Sequence, residues 1–189
     1  MLLYGELSTD SPVTFDEIGN GYIYIEKVRE DYTRHTRTVT KKDSNGNTYT
    51  ETEVYYSWDY VSSEHLATDT IVFLGEPFSY GTISLPVRRL NLADAGVEKQ
   101  RWNYIYKNSD TRYYYNVTDV SLVGTVFATL SDGTIKNASS LYENDTPVEV
   151  IKSVQQSETL YLIFFWLAWV VFMAGCVYGF LYLENRWLD

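Results

Sequence analysis

Leu160-Tyr-Leu-Ile-Phe-Phe-Trp-Leu-Ala-Trp-Val-Val-Phe-Met-Ala-Gly-Cys-Val-Tyr-Gly-Phe-Leu-Tyr-Leu183 is a run of residues without a single charge. At about 1.5 Å of rise per residue, such a helix crosses the roughly 30 Å hydrocarbon core of a bilayer with some tilt. A helix of this length in a soluble core would keep a polar face, and this one has none. The flanks agree. Glu158 and Thr159 precede the run, and Glu184, Asn185 and Arg186 follow it. Tyr161, Tyr178, Tyr182 and Trp187 lie toward its ends, where amphipathic rings favour the headgroup level. The expectation is an integral membrane protein, with the lipid bilayer as its first partner and the preceding residues as a domain held beside it.

Just upstream, Thr146-Pro147-Val148-Glu149 fits a capping box: Thr146 as N-cap, Pro147 at N1 and Glu149 at N3. No glycine or proline interrupts the chain from Pro147 to the apolar run, so the sequence predicts one continuous helix into the membrane. Such a connection would fix the domain's orientation over the bilayer. Inside the run, Gly175-Cys-Val-Tyr-Gly179 is a G-x-x-x-G pattern, which lets helix backbones approach closely; Ala168 and Ala174 add small residues. The pattern is frequent in membrane helices. Read as a packing site, Gly175 and Gly179 predict weak self-association. With no ionisable residue in the span, a lone copy of this helix has no proton relay or ion site. Cys176 is the only cysteine of the chain, so the polar domain has no disulfide.

The other residues read as β-structure. Eighteen tyrosines and many Thr and Val suit pleated, half-buried surfaces. Short candidate strands follow one another with turn residues between them: Gly21–Val28, Thr70–Leu74, Gly81–Leu85, Trp102–Tyr106, Arg112–Val117 and Leu122–Leu130, the last meeting a turn signal at Ser131-Asp132-Gly133. Ile23 and Ile25 are expected on one face of the first of these. The segment from Val87 to Lys99 reads as a loop or a short helix. This pattern predicts an all-β domain, sandwich or barrel-like, followed by one C-terminal transmembrane α-helix. The expected divisions are an apolar stub over 1–5, the β-domain over 6–145, a juxtamembrane helix over 146–159, the span over 160–183 and a short tail over 184–189. The stub admits two readings, a short strand or the end of a first membrane helix.

The clearest hairpin signal is Asn45-Gly46, flanked by Tyr32–Lys42 and Asn47–Tyr60. Taken as a two-residue loop, it pairs Thr38 with Glu53, Arg37 with Val54, His35 with Tyr56 and Thr33 with Trp58. The tip is polar and the base aromatic, with Tyr55, Tyr56, Trp58 and Tyr60. This suggests an arm whose base packs in the domain and whose tip is solvated or meets a partner. The candidate contact residues are Thr36, Thr38, Thr40, Asn45, Gly46, Thr50, Glu51 and Glu53.

The same region carries a resemblance. Glu26-Lys-Val-Arg-Glu30, Tyr32-Thr-Arg-His-Thr-Arg-Thr38, Thr50-Glu-Thr52, Tyr55-Tyr-Ser-Trp58 and Glu64 together resemble beside-a-membrane (GIDE-type) β-domain proteins. The similarity is closest to bacterial membrane proteins of this type, and more distant to the mitochondrial ubiquitin ligase Mulan and the nuclear-envelope protein LUMA. It covers roughly residues 20–75. It implies a β-rich domain outside the cytosolic face, between two membrane helices, with a role in regulation or interaction. It supplies no catalytic residues. The chain departs from the type in having no complete first membrane helix and no RING segment after the span, so ligase activity is not implied.

Chemistry is hard to find elsewhere. His35 and His65 are the only histidines and neither has a second ligand at metal spacing. No phosphate loop, dinucleotide fingerprint or nucleophile elbow occurs. We therefore expect no enzyme, cofactor or metal. Residues 1–159 hold 14 Lys and Arg against 23 Asp and Glu, which excludes the basic face that nucleic acid requires. The leading expectation is a membrane-anchored interaction or regulatory module with a protein partner or homo-oligomer. The alternatives are a subunit of an envelope assembly, or a tethered hydrolase or glycan-binding module using Tyr104, Tyr106, Tyr113, Tyr114 and Tyr115. Basic residues flanking the span tie, Lys152 against Arg186, so charge does not set topology. The apolar Met1–Tyr4 and the resemblance favour residues 6–159 outside the cytoplasm of a plasma membrane, with Met1–Tyr4 near the membrane surface. A tail-anchored protein with a cytosolic domain is the alternative.

Overall fold

The computed structural model of the chain describes residues 1–131 and 134–188. It divides into two units, Met1–Asn144 and the segment from Asp145 onward. The first is all-β and the second is one helix.

The first unit holds two sheets. One is built from β1 (Leu2–Ser8), β4 (Thr70–Phe73), β5 (Glu76–Ser79), β9 (Ser121–Ser131) and β10 (Thr134–Glu143), in the order β10-β9-β1-β4-β5. The other contains β2 (Tyr22–Lys42), β3 (Thr48–Ala67), β6 (Arg88–Arg89), β7 (Ile105–Tyr106) and β8 (Thr111–Asp119), in the order β3-β2-β8-β6 with β7 also on β8. Of the two readings of the first residues, the strand is the one found. Leu2–Ser8 pairs with β9 from Leu2↔Phe127 to Ser8↔Ser121, so the β-domain begins inside the expected stub. Gly5 faces Gly124 in that ladder. A Cβ on Gly124 would lie 2.3 Å from the Tyr142 carbonyl oxygen, which explains why glycine stands there.

Two apolar clusters hold the unit together. The first joins Leu7, Ile71, Phe73, Leu122, Val126 and Leu141 of the first sheet to Ile23 of β2. The second covers the inner face of the other sheet: Tyr22, Ile25, Tyr115 and Val117 beneath Ile18, Leu90 and Leu92 from the loops. Ile23 and Ile25 therefore serve different clusters, against the simple alternation expected. The register between β2 and β8 shifts between Tyr22 and Tyr24, and such a bulge turns the residues on either side of it to opposite faces.

Other segments also differ from expectation. Gly81–Leu85 forms only an isolated bridge, Ser84 to Ser140. Trp102–Tyr106 is a strand only at its last two residues, because Trp102 and Asn103 take φ of 57° and 61°. Arg101 and Tyr104 exchange both backbone hydrogen bonds around them, the signature of a type I′ turn. Val87–Lys99 is a loop apart from β6. The turn expected at Ser131-Asp132-Gly133 has Asp132 and Gly133 outside the described residues.

The helical unit, α1 (Pro147–Leu188), runs unbroken for 42 residues, as the cap and the uninterrupted sequence predict. The capping box is present: the Thr146 N–H donates to the Glu149 carboxylate at 2.8 Å, and the Glu149 N–H reaches the Thr146 hydroxyl at 3.5 Å. Among the described residues this is the one helix long and apolar enough to cross a membrane, with a mean hydropathy of 2.3 in its most apolar window.

Candidate interaction surface

The β2–β3 hairpin is the longest feature of the β-domain. Its two strands have 21 and 20 residues, and at about 3.3 Å per residue each is close to 70 Å long. β8 accompanies β2 only from Tyr22 to Asp31, and the last contact is the Tyr32 N–H donating to Asp110 at 2.8 Å. Beyond it, Thr33–Lys42 and Ser57–Thr48 form a two-stranded arm with no third strand. The arm therefore projects about 30 Å past the sheet.

The arm's register is one residue away from that expected. Thr38 pairs with Thr52, Arg37 with Glu53, His35 with Tyr55 and Thr33 with Ser57. The cause is at the tip. The Asp43 carboxylate accepts hydrogen bonds from the N–H groups of Asn45 and Asn47 at 2.9 and 2.8 Å, while the Gly46 N–H donates to the Asp43 carbonyl at 3.1 Å. This makes a three-residue loop, a type I turn followed by Gly46 at a φ of 86°. Asn45 keeps a negative φ, so the two-residue type I′ loop does not form.

With that register the two faces of the arm differ in chemistry. One carries Thr36, Thr38 and Thr40 beside Thr50 and Thr52, with Arg34 opposite Tyr56 and Lys42 opposite Thr48, and continues through Val54 to Trp58 and Tyr32. The other carries the ion pairs. Arg37 donates to Glu53 at 3.0 Å, Lys41 reaches Glu51 and Glu53 at 2.9 Å, and His35 Nε2 lies 2.5 Å from Asp59 with Tyr55 stacked on its ring. Asp59 is held below the usual carboxylate range, first by the Ser57 hydroxyl and then by His35. The Glu53 carboxyl is likewise lowered, first by Lys41 and then by Arg37. Of the eight residues expected at a partner contact, Thr36, Thr38, Thr40 and Thr50 share the threonine face. Glu51 and Glu53 lie on the charged one, and Asn45 and Gly46 form the tip.

The aromatic base is packed in the domain only in part. Tyr56 is 54% exposed and Tyr60 65% exposed, while Trp58 is half-buried. The apolar core begins lower, at Val28. Tyr32 instead stacks on Tyr56 and Trp58, with ring centroids 5.5 and 5.2 Å apart. From Trp58 this face continues across the sheet as a ladder of rings and guanidinium groups. Arg112 lies between Trp58 and Tyr104, 4.2 and 3.7 Å from their centroids. Arg89 lies between Tyr104 and Tyr114, at 4.9 and 3.5 Å. Arg112 is also paired with Glu30 at 2.7 Å. Asn103 holds Tyr104 in place from below: its side chain accepts from the Leu92 N–H and donates to the Leu90 carbonyl, at 2.7 and 2.9 Å.

The five tyrosines weighed as one aromatic groove divide between two faces. Tyr104, Tyr106 and Tyr114 join the ladder, while Tyr113 and Tyr115 belong to the inner cluster. Burial pushes the Tyr115 hydroxyl well above its usual range, and it donates to the Glu17 carboxylate at 2.7 Å. Strand alternation at Tyr113-Tyr-Tyr115 accounts for the split. The ladder is not evident in the sequence because its six members come from four separate segments; the one local signal was the aromatic–Arg alternation at Arg112-Tyr-Tyr114.

In the helical unit, Gly175 and Gly179 are separated by one turn, and a Cβ at either would meet no neighbour within 4 Å. Among the described residues no group of three His, Cys, Asp or Glu side chains is placed to hold a metal ion. No protein-family model, curated protein or solved structure matches the chain.

Proposed function

We propose that this chain is a membrane-anchored interaction module. Its C-terminal helix inserts in a bilayer, and its β-domain offers a partner protein the threonine and aromatic face that runs from the arginine–aromatic ladder onto the arm. One observation carries this reading: the exposed rings of Tyr32 and Tyr56 flank the half-buried Trp58 where the third strand ends and the two-stranded arm begins. Contiguous exposed aromatic surface of this kind marks a contact site, and Tyr, Trp and Arg are the residues that dominate binding energy at such sites. The resemblance to beside-a-membrane β-domains supports the same role and favours residues 6–159 outside the cytoplasm, on the surface of a plasma membrane.

A photo-crosslinking residue at Tyr56 in the membrane-embedded chain tests the contact. We expect a discrete adduct that disappears when Trp58→Ala is added, while a probe at Glu98, off this face, gives none. Identical adducts from both positions would refute the reading. Protease added to intact cells tests topology. Digestion of the β-domain is expected, and protection until lysis would favour the tail-anchored alternative.

A further inference from the structure

The arm has two free edges, and they differ in charge. Its β2 edge, residues 32–42, carries Arg34, Arg37, Lys41 and Lys42 and no acid. Its β3 edge, residues 48–58, carries Glu51 and Glu53 and no base. Within one arm Glu51 and Glu53 engage Arg37 and Lys41. Arg34 and Lys42 make no ion pair among the described residues. β3 is an edge strand throughout its length, and it contains neither proline nor lysine, the residues that usually guard such an edge.

We propose that arms of neighbouring copies pair edge to edge, β2 of one copy against β3 of the next, so that a second copy of this chain completes the ribbon into a wider sheet. This rests on the reading of the arm as a contact element and names one of its partners. Charge selects the pairing. β3 against β3 would set Glu51 and Glu53 against themselves, and β2 against β2 would set four cations against four. Like charges across a ladder destabilise it, and β2 against β3 sets Arg37 and Lys41 on the same face as the next copy's Glu51 and Glu53, while Arg34 and Lys42 lie on the threonine face.

Backbone geometry agrees. The Asp43 N–H donates to Asn47 across the hairpin, so hydrogen-bonded pairs recur at odd residues up the arm. The N–H and C=O groups of even residues, Thr38 and Thr40 on β2 and Thr50 and Thr52 on β3, therefore point outward. An incoming strand mates even with even, which keeps the threonine face continuous from one copy to the next. The two strands meet antiparallel with all tips pointing the same way, so copies sharing one membrane topology need not invert to meet. The contact is heterologous, and it builds a ring or an open row instead of a closed twofold dimer.

The test uses two differently tagged full-length chains, both carrying Cys176→Ser, one with Thr38→Cys and the other with Thr52→Cys. They are reconstituted together in phosphatidylcholine–phosphatidylglycerol vesicles and oxidised. Each chain has one cysteine, so every disulfide joins two copies. We expect the mixed Thr38→Cys/Thr52→Cys dimer to dominate both homotypic dimers. Thr50→Pro should abolish it, because it removes an outward N–H and leaves the hairpin's own bonds intact. Dominant Thr52→Cys homodimers would overturn the proposal, as would a yield no higher than that of a Glu98→Cys control. A missing mixed disulfide alongside an intact Tyr56 adduct to a foreign protein would defeat self-pairing and leave the interaction reading standing.

Discussion

The two halves of the long hairpin share their strands and differ in almost everything else. The lower half, Tyr22 to Arg29, lies between β8 and β3 over an apolar cluster in which Ile25 is fully buried. The upper half has only itself. Its stability comes from cross-strand pairs, each worth a fraction of a kcal/mol, and isolated hairpins of this kind are marginal in water. The halves also differ in register. Tyr24↔Ala67 to Arg29↔Ser62 pair at positions summing to 91, and Glu30↔Tyr60 to Lys42↔Thr48 at positions summing to 90. Burial sets the first register and the Asp43 turn sets the second. They disagree by one residue, and Val61, left without a partner between Tyr60 and Ser62, absorbs the difference as a bulge.

Replacing Ile25 with Ala breaks the lower half. It should cost about 2–5 kcal/mol of domain stability, the usual range for emptying a closed core site. Val39→Ala on the arm should cost well under about 1 kcal/mol. Urea unfolding followed by tryptophan fluorescence separates the two, and equal losses would mean that the arm is packed after all. Next in size is Gly124→Ala. Its Cβ meets backbone rather than a movable side chain, so a loss of about 1–3 kcal/mol is expected in the same assay.

Acid provides a third comparison. Burial alone would raise the Glu17 carboxyl, but hydrogen bonds from Lys27 and Tyr115 outweigh it and hold the group below its ordinary value of 4.5. A carboxyl lowered by folding stabilises the protein above its unfolded pKa, and that contribution is lost as pH falls through the folded value. Stability should therefore drop as pH falls below about 4.5, and Glu17→Gln should flatten part of that slope. Glu53 on the arm is also lowered, by the charged groups of Lys41 and Arg37, so salt should erase more of its share than of the Glu17 share, part of which comes from the neutral Tyr115 hydroxyl. An acid slope untouched by Glu17→Gln would remove this cluster from the account.

Much of this was legible in the sequence. The apolar run, the Thr146 cap and the place of the hairpin turn each depend on a few adjacent residues, and each stands where the pattern put it, although the turn's loop is one residue longer than the expected Asn45-Gly46. The failures share a cause as well. Period-two alternation cannot anticipate the bulges beside Tyr22 and at Val61, since a bulge arises from competition between distant pairings. Trp102 at positive φ was unreadable because the Asn103 side chain, bonded to Leu90 and Leu92, holds that turn. The arginine–aromatic ladder is a tertiary feature. Arg89, Tyr104 and Arg112 become neighbours only after the second sheet has formed.

The smallest expected effect is the most informative about how the halves are reconciled. Asp43→Ala removes the carboxylate that accepts from Asn45 and Asn47. The three-residue loop then loses its advantage over a two-residue type I′ loop at Asn45-Gly46, for which that pair is well suited. The two-residue loop pairs positions summing to 91, the register that burial already imposes below. No conflict would remain, and Val61 would pair with Glu30. The stability change should be small, about 0.5–1.5 kcal/mol for the lost hydrogen bonds, less whatever removal of the bulge returns. The structural change should be large, because a one-residue slip carries every β3 side chain above the bulge to the opposite face. Cross-strand contacts measured by NMR decide it: Thr38 beside Glu53 in the variant, against Thr38 beside Thr52 in the parent. If Asp43→Ala keeps the parent pairing, the arm's register comes from the ring contacts of Tyr32, Tyr56 and Trp58 rather than from the turn.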